Sequence, residues 1–320
     1  MGKDFYIGVD VGGTKIAAGL VRPDGKIVGW EKSSTPRKHG AGEVMKVIVR
    51  AIRDVMRDAD VKPKRLRGIG VGLPGVVDQK GERLLAAPNI ALAGYPIAKT
   101  LRKRFNTTVA LGNDVNLGVL GESWLGAAQG IRDVVGVFPG TGVGGGVVCS
   151  GKLLLGAHGA AAELGHLVLD PAGPLCGCGS RGCLEAYASR TAIERDIRAG
   201  VREGRRSEIV ALNGGHLDVI KSKVLARALK RRDPLVTSVV RDASERLGQA
   251  CVSLRHAFDP EVIVFGGGLI EACGEYILPV VAKRLAHDPL FKKVGPCRVL
   301  RSRLGDDAVV LGAVALVRRS

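Results

Sequence analysis

The chain has few aromatic residues and no long hydrophobic run, and each shortage excludes a class of protein. Aromatic side chains make up 4% of its 320 residues, too few to provide the stacking platforms that hold single-stranded nucleic acid. No apolar run approaches the ~20 residues of a membrane-spanning helix. The first residues also lack the pattern of a secretory signal peptide. We therefore expect a soluble, cytoplasmic protein without a membrane partner.

Acidic residues are also in deficit: 31 Asp and Glu stand against 48 Lys and Arg, giving a net charge of +17. A basic surface can attract nucleic acid, an anionic membrane or a polyanionic substrate. Here the basic residues are spread along helical stretches such as 221–232, which is typical of a solvated face. We expect no nucleic-acid partner, and whether the charge has any functional partner stays open.

A disulfide framework is not indicated, because the cysteine count is odd. Of the seven cysteines, Cys176, Cys178 and Cys183 fall within eight positions, and His166 precedes them. One imidazole and three thiolates suit a tetrahedral zinc ion with no open position, hence a structural rather than a catalytic metal. The C-x-C spacing differs from that of zinc fingers. The alternative is a chance group of reduced cysteines.

Neither of two common nucleotide-binding motifs, the dinucleotide-binding pattern and the P-loop, is present in the required form. Residues 70–75 and 140–145 match the pattern G-x-G-x-x-G, which requires a strand before it and a helix opening at its third glycine. The first match contains Pro74, and the second is followed by another strand. A P-loop pattern is also missing. The sequence therefore does not indicate a Rossmann or P-loop site.

Three glycine turns at strand ends are present instead, at residues 10–15, 139–146 and 265–268. Backbone N–H groups in such turns can surround phosphate oxygens. Thr14, Lys15 and Thr141 add polar donors, and Asp10 is placed to hold a magnesium ion through water. A single turn of this kind is more often structural, but three of them favour a nucleotide phosphate site.

Hydrophobic periodicity predicts helices over 44–59, 184–203, 234–258 and 308–317, and buried strands over 5–10, 68–73 and 262–265. Residues 5–30 and 134–149 both read as strands joined by glycine turns, followed by helices and further strands. This recurrence indicates a duplicated α/β unit.

Several polar residues lie beside these motifs. Asn113 and Asp114 end a predicted strand and open an apolar helix, where an acidic residue is commonly an N-cap. That structural reading of Asp114 stands beside a catalytic one. Glu163 precedes His166 by three positions, and Glu185 follows Cys183 by two. A metal ion that fixes this loop would also position both carboxylates, as a polyol-binding site requires.

Together these motifs resemble the ROK family of sugar kinases and related repressors. The likeness runs nearly end to end, and its most specific segments are 163–166 and 176–185. The resemblance implies an α/β fold of the actin-like ATPase (ribonuclease H-like) type, with ATP and sugar meeting in a cleft between two lobes. The expected lobes are a small one, 1–112 plus 305–320, and a large one, 113–304, which carries the zinc loop.

The resemblance also implies roles for individual residues. Asp114 would be the general base that takes the proton of the sugar 6-hydroxyl. Sugar hydroxyls would be bound by Asn113, Asp114, Glu163, His166 and Glu185, with Gly75 and Asn89 lining the same pocket. Phosphates and adenosine would be held by Asp10, Gly12, Gly13, Thr14, Lys15, Gly140, Thr141, Gly142, Gly266, Gly267 and Gly268. His166 would bind zinc through one nitrogen and a hydroxyl through the other.

The expected activity is ATP-dependent phosphorylation of a hexose, with glucose first, as in bacterial ROK glucokinases. The cofactors would be ATP, Mg²⁺ and a structural Zn²⁺, and the assembly a homodimer or homotetramer. No tryptophan follows closely after Asn89, and the stretch after Asp114 is not alanine-rich as is usual in the family. Other hexoses or N-acetylhexosamines therefore stay open as acceptors, as does polyphosphate as donor. A sugar-responsive repressor is disfavoured, since only nine residues precede Asp10.

Overall fold

The structure, a computed structural model, describes residues 4–36, 40–78, 80–87 and 90–319. Twelve β-strands lie in this part of the chain. They are β1 (Phe5–Val11), β2 (Lys15–Val21), β3 (Ile27–Ser34), β4 (Leu66–Leu73), β5 (Val76–Val77), β6 (Leu84–Ala86), β7 (Thr108–Asn113), β8 (Val134–Pro139), β9 (Val143–Cys149), β10 (Lys152–Leu153), β11 (Val262–Phe265) and β12 (Arg298–Arg301).

The same described ranges contain ten α-helices. They are α1 (Ala41–Asp58), α2 (Ile97–Phe105), α3 (Asp114–Leu125), α4 (Glu185–Ala188), α5 (Arg190–Arg202), α6 (Ile209–Leu212), α7 (Ser222–Lys230), α8 (Pro234–Phe258), α9 (Gly268–Ala286) and α10 (Ala308–Val317). Single turns of 3-10 helix lie at Pro63–Arg65, Leu164–His166, Leu290–Lys293 and Gly305–Asp307. None of the helices in these ranges is both long and apolar enough to span a bilayer.

The two large sheets repeat one strand order, as the recurrence in the sequence predicts. The first sheet runs β3-β2-β1-β4-β7, and the second runs β10-β9-β8-β11-β12. In the first, β1 pairs antiparallel with β2 and parallel with β4. In the second, β11 pairs parallel with both β8 and β12. In each sheet, three strands that are consecutive in the chain lie side by side. Two further strands, parallel to the first of those three, extend the sheet next to it.

The chain divides into two compact units. Unit 1 comprises Met1–Gly130, Gly146–Ala162 and Arg303–Ser320, and unit 2 comprises Ile131–Gly145 and Glu163–Ser302. These are bounds of compactness within the chain. The lobe boundaries predicted after residues 112 and 304 stay a prediction.

Close approach of α10 explains several strand glycines of unit 1. A Cβ built on Gly8 of β1 would lie 2.1 Å from the carbonyl oxygen of Val310, and one built on Gly70 of β4 would lie 1.9 Å from that of Ala313. Only glycine permits a helix backbone at this distance. Gly70 opens the first G-x-G-x-x-G match, so this glycine serves helix packing, in agreement with the rejection of a dinucleotide site there.

In unit 2 the long helix α8 begins and ends as predicted. Asp233 caps it by accepting a hydrogen bond from the Val236 N–H at 2.9 Å, and Pro234 occupies the first helical position. The neighbouring strand β11 is buried at all four positions, which is typical of a central parallel strand covered on both faces.

One helix prediction is wrong. A single helix was expected over 184–203, but the structure has a short α4 and a separate α5. Ser189 is extended (φ −73°, ψ 158°), and its hydroxyl accepts a hydrogen bond from the Ala192 N–H at 3.1 Å. Apolar periodicity continues across the break, which is why it conceals an N-cap in the middle of the stretch.

Candidate active site

The first glycine turn, between β1 and β2, is held by Thr35, the residue that follows β3. Within the turn, the Gly12 N–H donates to the Lys15 carbonyl at 2.8 Å. The Thr35 hydroxyl donates to the Gly12 carbonyl at 2.6 Å, and the Thr35 N–H donates to the Thr14 carbonyl at 3.0 Å. Thr14 stays exposed. The turn is therefore held in one shape by Thr35, which sequence reasoning missed.

Asp10 lies in a strongly perturbed environment at the end of β1. Burial is the largest cause that raises its pKa, to about 6, and the nearby charges of Asp114 and Asp306 add to the rise. Lys15 opposes this shift without cancelling it. Like charges that share a site disfavour simultaneous ionisation unless a cation joins them. The surroundings of Asp10 therefore suit a bound cation.

Asn113 and Asp114 lie where β7 meets α3, and they have different positions in the helix start. The N-cap is Asn113, whose Oδ1 accepts from the Asn116 N–H at 3.0 Å. Asp114 is the first helical residue, and its Oδ1 accepts from the Val115 N–H at 2.9 Å. The N-cap reading considered for Asp114 thus belongs to its neighbour. The positive end of the helix dipole favours a negative Asp114.

The predicted sugar-site residue Gly75 lies beside Asn113. The Asn113 side-chain amide donates to the Gly75 carbonyl at 3.1 Å. Gly75 has φ +117°, and a Cβ there would lie 2.0 Å from the Ala86 carbonyl oxygen, so this position requires glycine. Asn89, predicted to line the same pocket, lies outside the described residues.

A further charged group, Asp306, was not found from the sequence. Its Oδ2 lies 3.3 Å from the Lys15 Nζ and 3.9 Å from the Lys32 Nζ. These side chains are largely exposed, so the pairs contribute little to stability. They do hold the ammonium group of Lys15 beside the first glycine turn.

The second glycine turn, between β8 and β9, is held by the start of α5. The Arg190 N–H donates to the Gly140 carbonyl at 2.8 Å, and the Thr191 hydroxyl donates to the Thr141 carbonyl at 2.8 Å. The Arg190 guanidinium donates to the Thr141 hydroxyl at 3.2 Å. Across the turn, the Gly140 N–H donates to the Gly142 carbonyl at 2.8 Å. Arg190 and Thr191 are therefore supporting residues that the motif did not reveal.

The third glycine turn lies against the second. Gly267 has φ +82°, and a Cβ there would lie 2.7 Å from the Pro139 carbonyl oxygen, immediately before Gly140. Gly268 begins α9, a helix of 19 residues. The structure thus brings two predicted phosphate turns of unit 2 together. The turn at 266–268 leads directly into the N-terminus of α9, where anions are stabilised.

The predicted metal ligands converge. The donor atoms of His166, Cys176, Cys178 and Cys183 all lie within 4.8 Å of one another. The Cys178 and Cys183 sulfurs are 3.8 Å apart, and the Cys176 sulfur is 3.7 Å from the His166 Nδ1. Bonds of ~2.3 Å to sulfur and ~2.1 Å to nitrogen in a tetrahedron require separations of about 3.8 and 3.6 Å. The donor set therefore fits zinc.

The thiols themselves titrate very differently. Burial raises the pKa of Cys176 to about 12 and also raises the pKa of Cys183. A hydrogen bond from the Ser180 backbone lowers the pKa of the exposed Cys178 to about 7. Metal ligation requires thiolates, so an ion that binds here must displace protons from the buried pair.

Glu185, at the start of α4, joins the cysteine loop to the second glycine turn. Its Oε2 accepts from the Val143 N–H at 2.9 Å, and its Oε1 lies 3.6 Å from the Cys176 sulfur. A Cβ on Gly142 would lie 2.3 Å from Oε2. Glu163 precedes a 3-10 turn of which His166 is the last residue, and both side chains are exposed. All three predicted sugar ligands of unit 2 thus lie on or beside this loop.

A cavity of about 500 Å³ adjoins this arrangement in unit 2. Its wall combines the second glycine turn and the cysteine loop with a row of polar side chains from α5 and its cap. These polar residues are Ser189, Thr191, Arg195 and Arg198. Because sequence motifs mark only the turn and the loop, the contribution of α5 was not predicted.

Comparison with known proteins finds relatives that align with nearly the whole chain. A glucokinase of Thermotoga maritima is 37% identical over 319 residues, covering 99% of this chain and 98% of its own length. A xylose repressor of Caldicellulosiruptor bescii is 27% identical, covering 97% of this chain and 77% of its own length. The crystal structure of a ROK family glucokinase from Streptomyces griseus, in complex with glucose and AMPPNP, superposes with a TM-score of 0.82 at 34% identity. The superposition covers 99% of this chain and 100% of the S. griseus chain.

These likenesses confirm the α/β, actin-like ATPase fold class predicted from the sequence. The model of one family, described as the ROK family, matches residues 6–320. The chain belongs to the ROK family.

Proposed function

We propose that this protein is a hexose kinase that transfers the γ-phosphoryl group of ATP to glucose, giving glucose 6-phosphate. The observation that carries the proposal is the placement of Asp114 at the start of α3, where its charge contributes to the raised pKa of the half-buried Asp10 beside the first glycine turn. A proton acceptor and a cation-holding carboxylate are the two parts that phosphoryl transfer to a hydroxyl needs. The similarity to glucokinases of T. maritima and S. griseus supports glucose as acceptor.

In the proposed mechanism Asp114 accepts the proton of the sugar 6-hydroxyl and orients its oxygen toward the phosphorus. The N-cap by Asn113 fixes the helix start from which Asp114 projects. Asp10 would hold Mg²⁺ through water, and that ion would neutralise charge on the ATP phosphates. Lys15 and Thr14, on the braced first turn, would donate to phosphate oxygens, together with the backbone of Gly12 and Gly13.

The glycine turns of unit 2 would hold the rest of the nucleotide. Backbone groups of 140–142 and 266–268 and the Thr141 hydroxyl would contact phosphates, with the N-terminus of α9 favouring their charge. The turn at 266–268 would also contact the adenosine.

Sugar hydroxyls would be bound by Asn113, Glu163, His166 and Glu185, and Gly75 and Asn89 stay predicted contributors to this binding. The His166 Nδ1 faces the Cys176 sulfur. With Nδ1 on a metal ion, Nε2 must carry the proton and can only donate to a hydroxyl. The Glu185 Oε2 already accepts from Val143, which holds the carboxylate in place while its remaining lone pairs accept from the sugar.

We further propose that the site of His166, Cys176, Cys178 and Cys183 holds a structural zinc ion. With four protein ligands its coordination would be full. Zinc would cross-link the loop 166–183 and thereby fix His166 and the start of α4. The protein would act in the cytoplasm as a homodimer or homotetramer, with a sugar and a nucleotide as its partners.

The decisive experiment measures ADP release by the purified protein with ATP and Mg²⁺ over a panel of glucose, mannose, fructose, N-acetylglucosamine and N-acetylmannosamine. We expect kcat/KM to be greatest for glucose. Activity greatest with another sugar would move the assignment within the family. ADP release that no sugar stimulates would refute the kinase proposal.

The donor is tested in the same assay. Formation of glucose 6-phosphate is measured with ATP and with inorganic polyphosphate, because the +17 charge would suit a polyanionic donor. We expect ATP to be used with the higher kcat/KM. A preference for polyphosphate would overturn the donor assignment and leave the catalytic role of Asp114 intact.

A further inference from the structure

A second cavity, of about 400 Å³, lies in unit 2 beside the last turn of α8. Most of its wall is apolar and comes from α9 and the segment 291–299. Four side chains that can carry charge or titrate also line it: Arg255, Asp288, Lys292 and Cys297. None of these residues takes part in the proposed kinase site. The volume is that of a pocket for a small organic molecule.

Arg255 is a buried cation without a counter-ion. Its relative exposure is 5%. Its Nε is buried and has no hydrogen-bond partner, and within the described ranges no carboxylate oxygen lies within 4.0 Å of its guanidinium. The guanidinium donates to the Gly295 carbonyl through Nη2 and lies 4.2 Å from the centre of the Phe291 ring. A buried charge is normally paired, because desolvation of an unpaired ion is costly.

The other groups of the cavity wall that could neutralise Arg255 are otherwise engaged. The Asp288 side chain is 1% exposed, and its Oδ2 lies 2.8 Å from the His256 Nε2. Its Oδ1 accepts from the Leu290 N–H at 3.1 Å. Cys297 is a neutral thiol near pH 7, because burial raises its pKa to about 11. Phe291 offers only the face of its ring, a weaker partner than an anion.

We propose that this cavity binds a small organic anion, with Arg255 as the buried cationic contact and Lys292 at the exposed rim. A guanidinium pairs well with the oxygens of carboxylates and phosphates. The apolar wall and the volume favour an oxyanion carried on a short carbon skeleton over an extended polyanion. Phe291 and Val299 pack against that skeleton. The other role open to Arg255 is that of a structural clamp, which holds the segment 291–297 through Gly295 and Phe291.

Thermal denaturation distinguishes these roles and does not depend on turnover. The protein is saturated with glucose and AMPPNP, so that the glycine turns are filled, and is heated with glycerol 3-phosphate, succinate or sodium chloride at equal ionic strength. At ~100-fold excess over Kd we expect a rise in Tm of about 3 to 6 °C with at least one organic anion. Sodium chloride should give none.

Three substitutions locate the effect. Arg255→Met removes the charge at similar length and should abolish the rise in Tm. Lys292→Met, on an exposed side chain, should weaken the affinity for the probe about 3- to 10-fold. Arg241→Met removes one charge from an exposed position on the same helix and should leave the rise unchanged.

The two roles of Arg255, anion contact and structural clamp, predict different outcomes. A response to glycerol 3-phosphate alone identifies a phosphate ester as the ligand class, and a response to succinate identifies a carboxylate. If no anion raises the Tm of the wild-type protein, or if the rise persists in Arg255→Met, the proposal is wrong and Arg255 is a clamp. Should Arg255→Met fail to fold, an unchanged probe affinity in Lys292→Met overturns the proposal equally well.

Discussion

The turn between β1 and β2 and the turn between β8 and β9 occupy the same place in two sheets of identical strand order, yet they are held in different ways. The first is surrounded by charge: Asp10, Lys15 and Asp306 lie around it, with Asp114 close by. Within the described ranges, the second has no crowd of carboxylates around it and is held by directed hydrogen bonds: Arg190 and Thr191 at the start of α5 bond to Gly140 and Thr141, and Glu185 accepts from the Val143 N–H.

This difference separates two tasks within one repeated topology. Crowded carboxylates such as Asp10 and Asp114 store electrostatic repulsion that a cation or a proton relieves, so the first turn suits the chemical step. The second turn offers directed N–H and hydroxyl groups at little cost of burial, so it suits the binding of phosphates. Strand order alone would not have distinguished them.

The largest expected effect is on the chemical step in unit 1. Asp114→Asn should keep the bond from the Val115 N–H but remove the proton acceptor, lowering kcat about 10²- to 10⁴-fold. The Kd for glucose, measured by calorimetry, should change little. Asp58→Asn, on an exposed acid of α1, serves as control. Equal loss of binding and turnover would make Asp114 a structural residue.

A smaller effect is expected where unit 2 depends on metal. Cys178→Ser removes an exposed ligand without disturbing buried packing, and should lower the zinc content while raising the KM for glucose about 10- to 100-fold. Metal analysis and steady-state kinetics measure both. Cys149→Ser lies outside the cluster and should change neither. Zinc-free protein with an unchanged KM would show that the loop positions His166 and Glu185 without an ion.

Next in size is a change in stability that depends on pH. The folded-state pKa of Asp10, about 6, exceeds the ordinary value of 3.8, so its favourable contribution is present below about pH 4 and is lost as pH rises through 6. Without Mg²⁺, Asp10→Asn should therefore raise the free energy of unfolding by about 2 to 3 kcal/mol near pH 8.

The same substitution should give no gain near pH 4, where Asp10 is already neutral. Urea unfolding at the two pH values provides the measurement. A gain of equal size at both would mean that the cost of ionising Asp10, which comes first from burial and then from the charge of Asp114, is not its cause. Activity should fall at every pH, since the carboxylate that would hold Mg²⁺ through water is gone.

The smallest effect concerns the ion pairs around Lys15. Asp306→Asn removes a partner that is 69% exposed, and such pairs are worth about 0 to 1 kcal/mol. The released Lys15 should bind ATP phosphates more readily, lowering the KM for ATP by less than about 5-fold. The difference should shrink at high salt. A change that is insensitive to salt would point to a shift of the turn instead.

Features encoded locally were predictable from the sequence. The helix α8 was predicted at both ends from the apolar stripe along 234–258. The metal cluster was predicted because three ligands lie within eight residues and His166 is only ten residues before Cys176. The duplicated unit was predicted from two glycine-turned hairpins, and the two sheets of equal strand order agree with it.

Features that depend on distant partners were not predictable. Asp306 reaches Lys15 across 291 positions, and no periodicity links them. Arg190 supports Thr141 across 49 positions. Gly70 appeared to belong to a phosphate motif pattern, whereas its lack of a side chain admits α10. The sequence shows where a glycine lies, but only the packed structure shows which neighbouring group requires the absence of a side chain there.

The double engagement of Glu185 has a consequence for how this protein can evolve. One carboxylate contacts both the Val143 backbone of the second turn and Cys176 of the cysteine loop. A substitution in that loop that re-shapes the sugar pocket will therefore also displace the turn proposed to hold phosphate. Acceptor preference and donor affinity should thus drift together in laboratory selection. New sugar specificities should arise more readily from substitutions outside the range 163–185.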